Sequence, residues 1–341
     1  MSVLNQLYGS LAAHRRRWYA ERPDRCRRLE QPVVSVGALA AGGSGKTPVA
    51  SHVAEILAAH GERPAILSRG YGRRQRADGV VVVRDRTGVR ATLDAAGDEP
   101  LMLANRLTGV PVLVCEDRFL AGRVAETQFE ASVHVLDDGF QHLALYRDID
   151  LVVIGAADVE AQQTLPGGRL RERPATAHVA DALIVEAPTR AAASLVATRL
   201  GVGVAFQLTR RLGAPVPAAP DAPGDIPRGA RVLVVCGIAH PAAFVAAVRD
   251  AGYEVTGSIE LADHHPFSTQ DVERIAGRVN AVGAECVLTT EKDMVRLRPY
   301  VPFAFPLAWV PLQVTVEPAD RLRTWLVDRI DGARTARRCG T

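Results

Sequence analysis

A mainly parallel α/β sheet with helices on both faces, joined to a second and smaller α/β unit, is the fold class that three features of this sequence predict. From Pro32 onward, short apolar runs alternate with helix-periodic segments, which is the pattern of strands joined by crossover helices. A glycine-rich turn lies between the first such run and the first such helix. Between residues 213 and 230, proline, glycine and alanine dominate and the periodicity vanishes, after which the alternation resumes. At 341 residues and 48% hydrophobic composition, the chain is long enough for two packed cores.

The elements follow in order. Residues 1–30 open with Val3, Leu4, Leu7, Tyr8 and Leu11 at helical spacing, then run into Arg15, Arg16, Arg17, Trp18 and Tyr19 and four further arginines. This is an N-terminal amphipathic helix with a basic end. It suits an anionic membrane surface, and equally a terminal helix packed on its own domain with a solvated basic end. Residues 31–212 hold the first α/β unit. Its strands are expected at "PVVSVG", "RPAILSRG", "GVVVV", "PVLVC", "SVHVLD", "DIDLVVI" and "DALIVEA", with helices over 47–60, 99–107 and 118–129. Residues 213–230 read as an exposed linker. Residues 231–333 hold the smaller unit, with strands at "RVLVVCG", "YEVTGSIE", "ECVLTT" and "FAFPLAWV". Residues 334–341 read as a flexible tail.

Composition excludes several classes. No run approaches the roughly 18 uninterrupted apolar residues of a spanning helix, and the N-terminus lacks a signal peptide's apolar core, so a cytosolic protein is expected. Five scattered cysteines without a Cys-x-x-Cys pair argue against a disulfide framework and a zinc site. Acidic residues nearly balance basic ones, 38 against 41, and no recognition module is visible, so no nucleic-acid partner is expected. Of those 41 basic residues only Lys46 and Lys292 are lysines. Where arginine is the default cation, a surviving lysine marks a place that needs a compact point charge.

Lys46 lies in "GALAAGGSGKTPVA", Gly37 to Ala50. The phosphate-loop pattern is Gly, four residues, then Gly-Lys-Ser/Thr, and here Ala40 stands where the first glycine belongs. The context nevertheless supplies the strand, the glycine-rich turn and the helix that phosphate binding requires, which makes the first unit P-loop NTPase-type. Gly42, Gly43, Ser44 and Gly45 offer backbone N–H groups to phosphate oxygens, Lys46 reaches the β/γ-phosphates, and the Thr47 hydroxyl can ligate Mg²⁺. The metal shell also needs a carboxylate at the end of another strand, and "SVHVLDDGFQH" offers Asp137 and Asp138. Either can face the metal while the other meets a second partner.

At this point the chain resembles the tetraacyldisaccharide 4′-kinases of lipid A biosynthesis. The resemblance rests on "GGSGKTP", "SRGYGR", "GDEP", "LDDGFQH", "DHH" and "TEKD", in that order over most of the chain. It implies ATP and Mg²⁺ as cosubstrate and cofactor, and phosphorylation of the 4′-hydroxyl of an acylated disaccharide 1-phosphate lipid. It also implies a peripheral protein, expected to be a monomer, on the cytoplasmic face of the bacterial inner membrane. By the same resemblance Asp98 is the base that takes the acceptor's proton, Glu99 lies near the metal, and His264 partners Asp98. Two departures stand out: Ala38 where members of the family often have Asn, and "GIAHP" (Gly237 to Pro241) where they often have Gly-Ile-Gly-Asn-Pro. No role is assigned to Ala239 or His240.

The loop "SRGYGRR" carries Arg69, Tyr71 and Arg73, and Arg forks match the phosphate oxygens of a phosphorylated sugar; a solvated loop is the bland reading. Gln141 and His142 are candidates for the same substrate site. Lys292 either approaches nucleotide or simply begins a helix. A GTPase or ATPase switch, or a metal-insertion chaperone, is the rival function, but the base-specifying Asn-Lys-x-Asp motif expected of the GTPase form is absent from the sequence.

Overall fold

The computed structural model describes residues 3–75, 78–161, 163–219 and 226–339. In chain order these form α1 (Val3–Ala20), β1 (Val33–Ala38), α2 (Lys46–Ala59), β2 (Pro64–Ser68), β3 (Val81–Arg84), α3 (Leu93–Ala96), α4 (Asp98–Arg106), β4 (Val112–Val114), α5 (Arg118–Phe129), β5 (Val133–Asp137), β6 (Ile149–Gly155), α6 (Ala156–Glu160), β7 (Ala182–Glu186), α7 (Arg190–Arg199) and β8 (Ala205–Leu212). There follow β9 (Val216–Pro217), β10 (Arg231–Cys236), α8 (Pro241–Asp250), β11 (Glu254–Glu260), α9 (Thr269–Val282), β12 (Cys286–Thr290), α10 (Glu291–Leu297), β13 (Leu307–Val310), β14 (Leu312–Glu317) and α11 (Ala319–Cys339).

The first sheet has nine strands in the order β14-β8-β7-β6-β1-β5-β2-β4-β3. Its interior is parallel, and only its outer pairs, β3 on β4 and β14 on β8, are antiparallel. Every residue of β1 is buried, as expected of a central parallel strand covered on both faces. Val34, Val36, Val49, Val53, Leu57 and Ile66 form one core layer with α2 and α4; Leu39, Phe140, Val152 and Ile154 belong to the opposite side. The second sheet has five strands, β11-β10-β12-β13-β9, parallel except for β9.

Three boundaries differ from the sequence expectation. First, β14 and α11 do not belong to the second unit: β14 pairs with β8, and Leu322, Leu326 and Ile330 of α11 are buried in the first core. The chain thus crosses from one unit to the other twice. The two crossings pair with each other through Gly213 N–H to Pro311 O (2.9 Å) and Ala218 N–H to Leu307 O (2.9 Å). Second, the linker is therefore partly a strand ribbon; its residues 220–225 lie outside the described residues. Third, the tail is helical to Cys339, because Arg334 and Arg337 are tied to Glu62 and Asp148 of the first unit. Gly340 and Thr341 lie outside the described residues.

Helix α1 forms as expected but docks through an unexpected stripe. Asn5 and Gly9 are its fully buried positions with described side-chain environments, whereas Leu4, Leu7 and Leu11 are 63%, 54% and 67% exposed. Asn5 accepts from Gly167 N–H (3.0 Å) and its carbonyl accepts from the Thr164 hydroxyl (2.6 Å). A Cβ on Gly9 would lie 3.4 Å from Thr164, so a small residue permits the close approach. The apolar stripe is left facing outward.

Candidate active site

The phosphate loop spans the end of β1 and the start of α2. Gly42, Gly43 and Gly45 all have positive φ, which glycine adopts without strain. Ala40 does not, because it is held extended: it bridges Leu170, while Ala41 N–H donates to Arg169 O (2.8 Å). The motif's first glycine is therefore dispensable here. Lys46 and Thr47, on the first turn of α2, are both buried at the base of the loop. Arg210, itself paired with Glu186, and Arg169 donate to the carbonyls of Gly43 and Gly42.

The acidic turn closes the site from β5. Asp138 has φ +59, and this left-handed residue sends the two neighbouring carboxylates to different partners. Asp137 approaches the Thr47 hydroxyl at 3.4 Å. Asp138 accepts from Arg171 Nη1 at 2.7 and 2.8 Å and lies 3.9 Å from Lys46 Nζ. Burial pushes the Asp137 carboxyl up to about 7, helped by Glu99 and opposed by Lys46, and its Oδ1 is buried without a hydrogen-bond partner. An orphaned carboxylate oxygen beside a P-loop hydroxyl fits a divalent cation. Among the described residues no group of three His, Cys, Asp or Glu side chains could hold a metal alone. The remaining ligands of such a cation would be phosphate oxygens and water.

From the other side, Asp98 on the first turn of α4 meets His264, in the loop after β11, with Oδ2 to Nδ1 at 2.8 Å. The residues are 166 positions apart and belong to different units. Asp98 is 4% exposed. Burial alone would raise its pKa, but the His264 hydrogen bond, Lys292 and Arg296 together hold it below the usual carboxylate value. His264 has φ +61, and its backbone N–H is shared between Gly237 O and Asp263 Oδ1. Lys292 lies on the first turn of α10, which Thr290 caps by accepting from Asp293 N–H at 3.0 Å. The buried Asp293–Arg296 pair clamps Gly237 and brings Arg296 Nε to 3.5 Å from Asp98 Oδ2. Lys292 Nζ stands 3.3 Å from Glu99 Oε1 and 3.1 Å from Asp263 Oδ1. Burial would lower the lysine's pKa, but Glu99, Asp98 and Asp263 more than offset this and raise it.

The phosphate loop, Asp137, Asp138, Glu99, Asp263, His264 and Lys292 line one cleft of about 1870 Å³ between the two units, which extends to Tyr8, Leu11 and Arg15 of α1; Asp98 is buried beside it on His264. Arg69, Tyr71, Gln141 and His142 line it too, and the Tyr71 ring stands edge-on to His264 with centroids 5.2 Å apart. Arg73 does not: it is buried beneath its loop, 3.9 Å from Glu116. Sequence reading missed Arg118, which is buried with an unpartnered Nε and whose pKa falls to about 10 through burial and Arg69. It also missed Arg171 and Glu172. Glu172 takes both Arg16 nitrogens, at 2.7 and 2.8 Å, and the Gln141 amide at 3.0 Å. The scarcity of lysine and the "TEKD" motif marked Lys292, but not its place beside His264.

A family model described as tetraacyldisaccharide-1-P 4′-kinase matches residues 1–331. The chain belongs to that family. It is accordingly a kinase, not a nucleotide-driven switch or metal-insertion chaperone. The tetraacyldisaccharide 4′-kinase of Pelobacter propionicus is 37% identical over 294 residues, covering 85% of this chain and 81% of that one. The enzyme of the same name from Koribacter versatilis is 35% identical and covers 94% and 95%. A crystal structure of LpxK from Aquifex aeolicus in complex with ATP superposes with a TM-score of 0.75 at 27% identity, covering 96% of this chain and 97% of that one.

Proposed function

We propose that the protein transfers the γ-phosphoryl group of ATP to the 4′-hydroxyl of a tetraacylated glucosamine disaccharide 1-phosphate, a step of lipid A biosynthesis. The observation that carries this reading is the convergence of the phosphate loop, the acidic turn and His264, the hydrogen-bond partner of Asp98, on one cleft. Lys46 and the loop amides hold the phosphates of ATP. A sugar hydroxyl is a weak nucleophile, so its proton passes to Asp98 as its oxygen bonds to the γ-phosphorus; the bond to the bridging oxygen breaks, and ADP leaves with the electron pair. Asp98 suits this task because it is ionised, buried and oriented by His264. The Thr47 hydroxyl and Asp137 would hold magnesium, which would supply charge neutralisation on the phosphates. Asp138, already committed to Arg171 and Lys46, holds the lysine in place. Arg69, Arg118, Gln141 and His142 line the wall that receives the acceptor.

The acceptor's acyl chains need an apolar environment, and the cleft opens beside α1. The outward stripe of Leu4, Leu7 and Leu11 supports docking of this helix on the cytoplasmic face of the inner membrane. No helix among the described residues is long and apolar enough to cross a membrane. ATP turnover measured with and without the acylated disaccharide 1-phosphate tests the reading. Acceptor-dependent ADP release with a new phosphate at the 4′-position is the expected result. Hydrolysis indifferent to the acceptor, with the lipid recovered unmodified, overturns it.

A further inference from the structure

The Lys292 ammonium sits 3.1 Å from Nε2 of His264, on the far side of the ring from Asp98. An ammonium has three donors and no lone pair, so a protonated Nε2 at this distance would set donor against donor. Nε2 must present its lone pair. The ring's one hydrogen then lies on Nδ1, where it is donated to Asp98 Oδ2 at 2.8 Å. The same ammonium reaches Glu99 of the first unit and Asp263 of the second, so both its position and its charge are fixed by carboxylates.

We infer that Lys292 is a positioning residue for phosphoryl transfer: it locks His264 in the neutral Nδ1–H tautomer, so that the ring orients Asp98 and cannot take the acceptor's proton. Both ring nitrogens are occupied, one by donating and one by accepting. The hydroxyl proton therefore ends on Asp98. The inference rests on the reading of Asp98 as the base. It accounts for one of only two lysines among 41 basic residues, since the task needs a compact ammonium beside an imidazole.

The test reads the tautomer directly and the rate separately. In ligand-free protein with ¹⁵N-labelled histidine, the His264 ring, assigned by its loss in His264→Gln, is expected to show a protonated Nδ1 and a bare Nε2. An Nε2–H tautomer or an imidazolium in the wild-type protein at neutral pH overturns the inference without any variant. Lys292→Met is expected to lose the Nδ1–H pattern and to lower kcat roughly 10- to 100-fold, with KM for ATP and for the acceptor within about threefold. Lys292→Arg, which keeps the charge and a donor but not the compact ammonium, should recover only part of that loss. A kcat within about threefold of wild type in Lys292→Met overturns the inference. Asp98→Asn is measured in parallel to separate the two readings. If it is inactive while Lys292→Met is normal, only the positioning role fails; if Asp98→Asn keeps wild-type kcat, the base assignment fails and the positioning role with it.

Discussion

Arg16→Ala should release α1 from the domain without unfolding the domain. Arg16 is 13% exposed and Glu172 5%, and their bidentate contact is reinforced by Arg16 Nη2 donating to Phe140 O at 3.1 Å and by the guanidinium lying 4.2 Å from the Phe140 ring centre. Removing one partner of such a buried pair costs about 3–5 kcal/mol because it leaves the other charged and desolvated. Glu172 would keep only the Gln141 amide. The structure offers a cheaper outcome, since α1 is otherwise held mainly by Asn5, Gly9 and the Arg15 bond to Gln141 O, with its apolar side chains turned away. If α1 lifts, water reaches Glu172 and the cost is capped at the docking energy of the helix. Hydrogen exchange over residues 3–20 is the assay. A cost of 3–5 kcal/mol corresponds to amide exchange on α1 faster by about 10²- to 10⁴-fold, with the melting temperature of the first unit little changed. Arg17→Ala, at an exposed position, should leave exchange unchanged. Adding Glu172→Ala to Arg16→Ala should recover part of the loss, because the stranded charge is gone. Exchange within about threefold of wild type in Arg16→Ala, or losses in the double variant that add strictly, would refute the reasoning.

Lys46→Ala should lower kcat by at least about 10²-fold while leaving the melting temperature near wild type, since the charge serves phosphates and not a core; rapid turnover would remove the phosphate-loop assignment. Asp98→Ala should lower kcat by about 10²- to 10⁴-fold with little effect on ATP affinity, and adding His264→Ala should make it little worse; steady-state kinetics of the two single variants and the double variant check this, and additive losses would dissolve the pair. Leu7→Glu with Leu11→Glu should shift the protein from sedimenting with anionic vesicles to remaining in solution, with turnover on detergent-dispersed acceptor less affected. Burial, with Arg118 and Arg147, pulls the His142 pKa down to about 3 from an ordinary 6.5. The unfolded chain therefore binds a proton between those values that the folded chain does not, so the contribution is whole above pH 6.5 and is lost as pH falls toward 3. The slope is at most about 1.4 kcal/mol per pH unit. Melting temperatures of His142→Gln and wild type should diverge in the variant's favour as pH falls from 6.5 to 4.5, and parallel curves would contradict the shift.

Chemistry carried by contiguous residues was legible in the sequence. The strand, glycine turn and helix around Lys46 are local, and so is the apolar run into Asp137, so period and composition suffice to find them. The meeting of Asp98 with His264 could be proposed only through family resemblance, because nothing local couples positions in different units. The destination of β14 and α11 was not legible: an apolar alternation and a helical stripe say which face is buried, not which sheet receives it, and the chain's return to β8 reverses the simple order of domains. Arg171 and Glu172 look like any charged loop until their partners from α1 and the acidic turn are in place. On α1 the hydrophobic stripe pointed away from the contact, which is made by Asn5, Gly9 and the two arginines Arg15 and Arg16.

The glycines of the phosphate loop answer to two neighbours at once. A Cβ on Gly43 would lie 2.3 Å from the His240 ring, and one on Gly42 would lie 3.3 Å from the Ala239 Cβ. Both partners come from the turn that leads into α8 in the second unit. A bare backbone is thus required on the outer side of the loop by domain packing, and on the inner side by the approach of phosphate oxygens. Positive φ at Gly42 and Gly43 would alone disfavour other residues, but strain of that kind is local and costs of order 1–3 kcal/mol. The contact with His240 is not local. It ties the geometry of the phosphate loop to the position of the unit that also carries His264 and Lys292, so a side chain at residue 43 would disturb the nucleotide site and the approach of the Asp98 partners together.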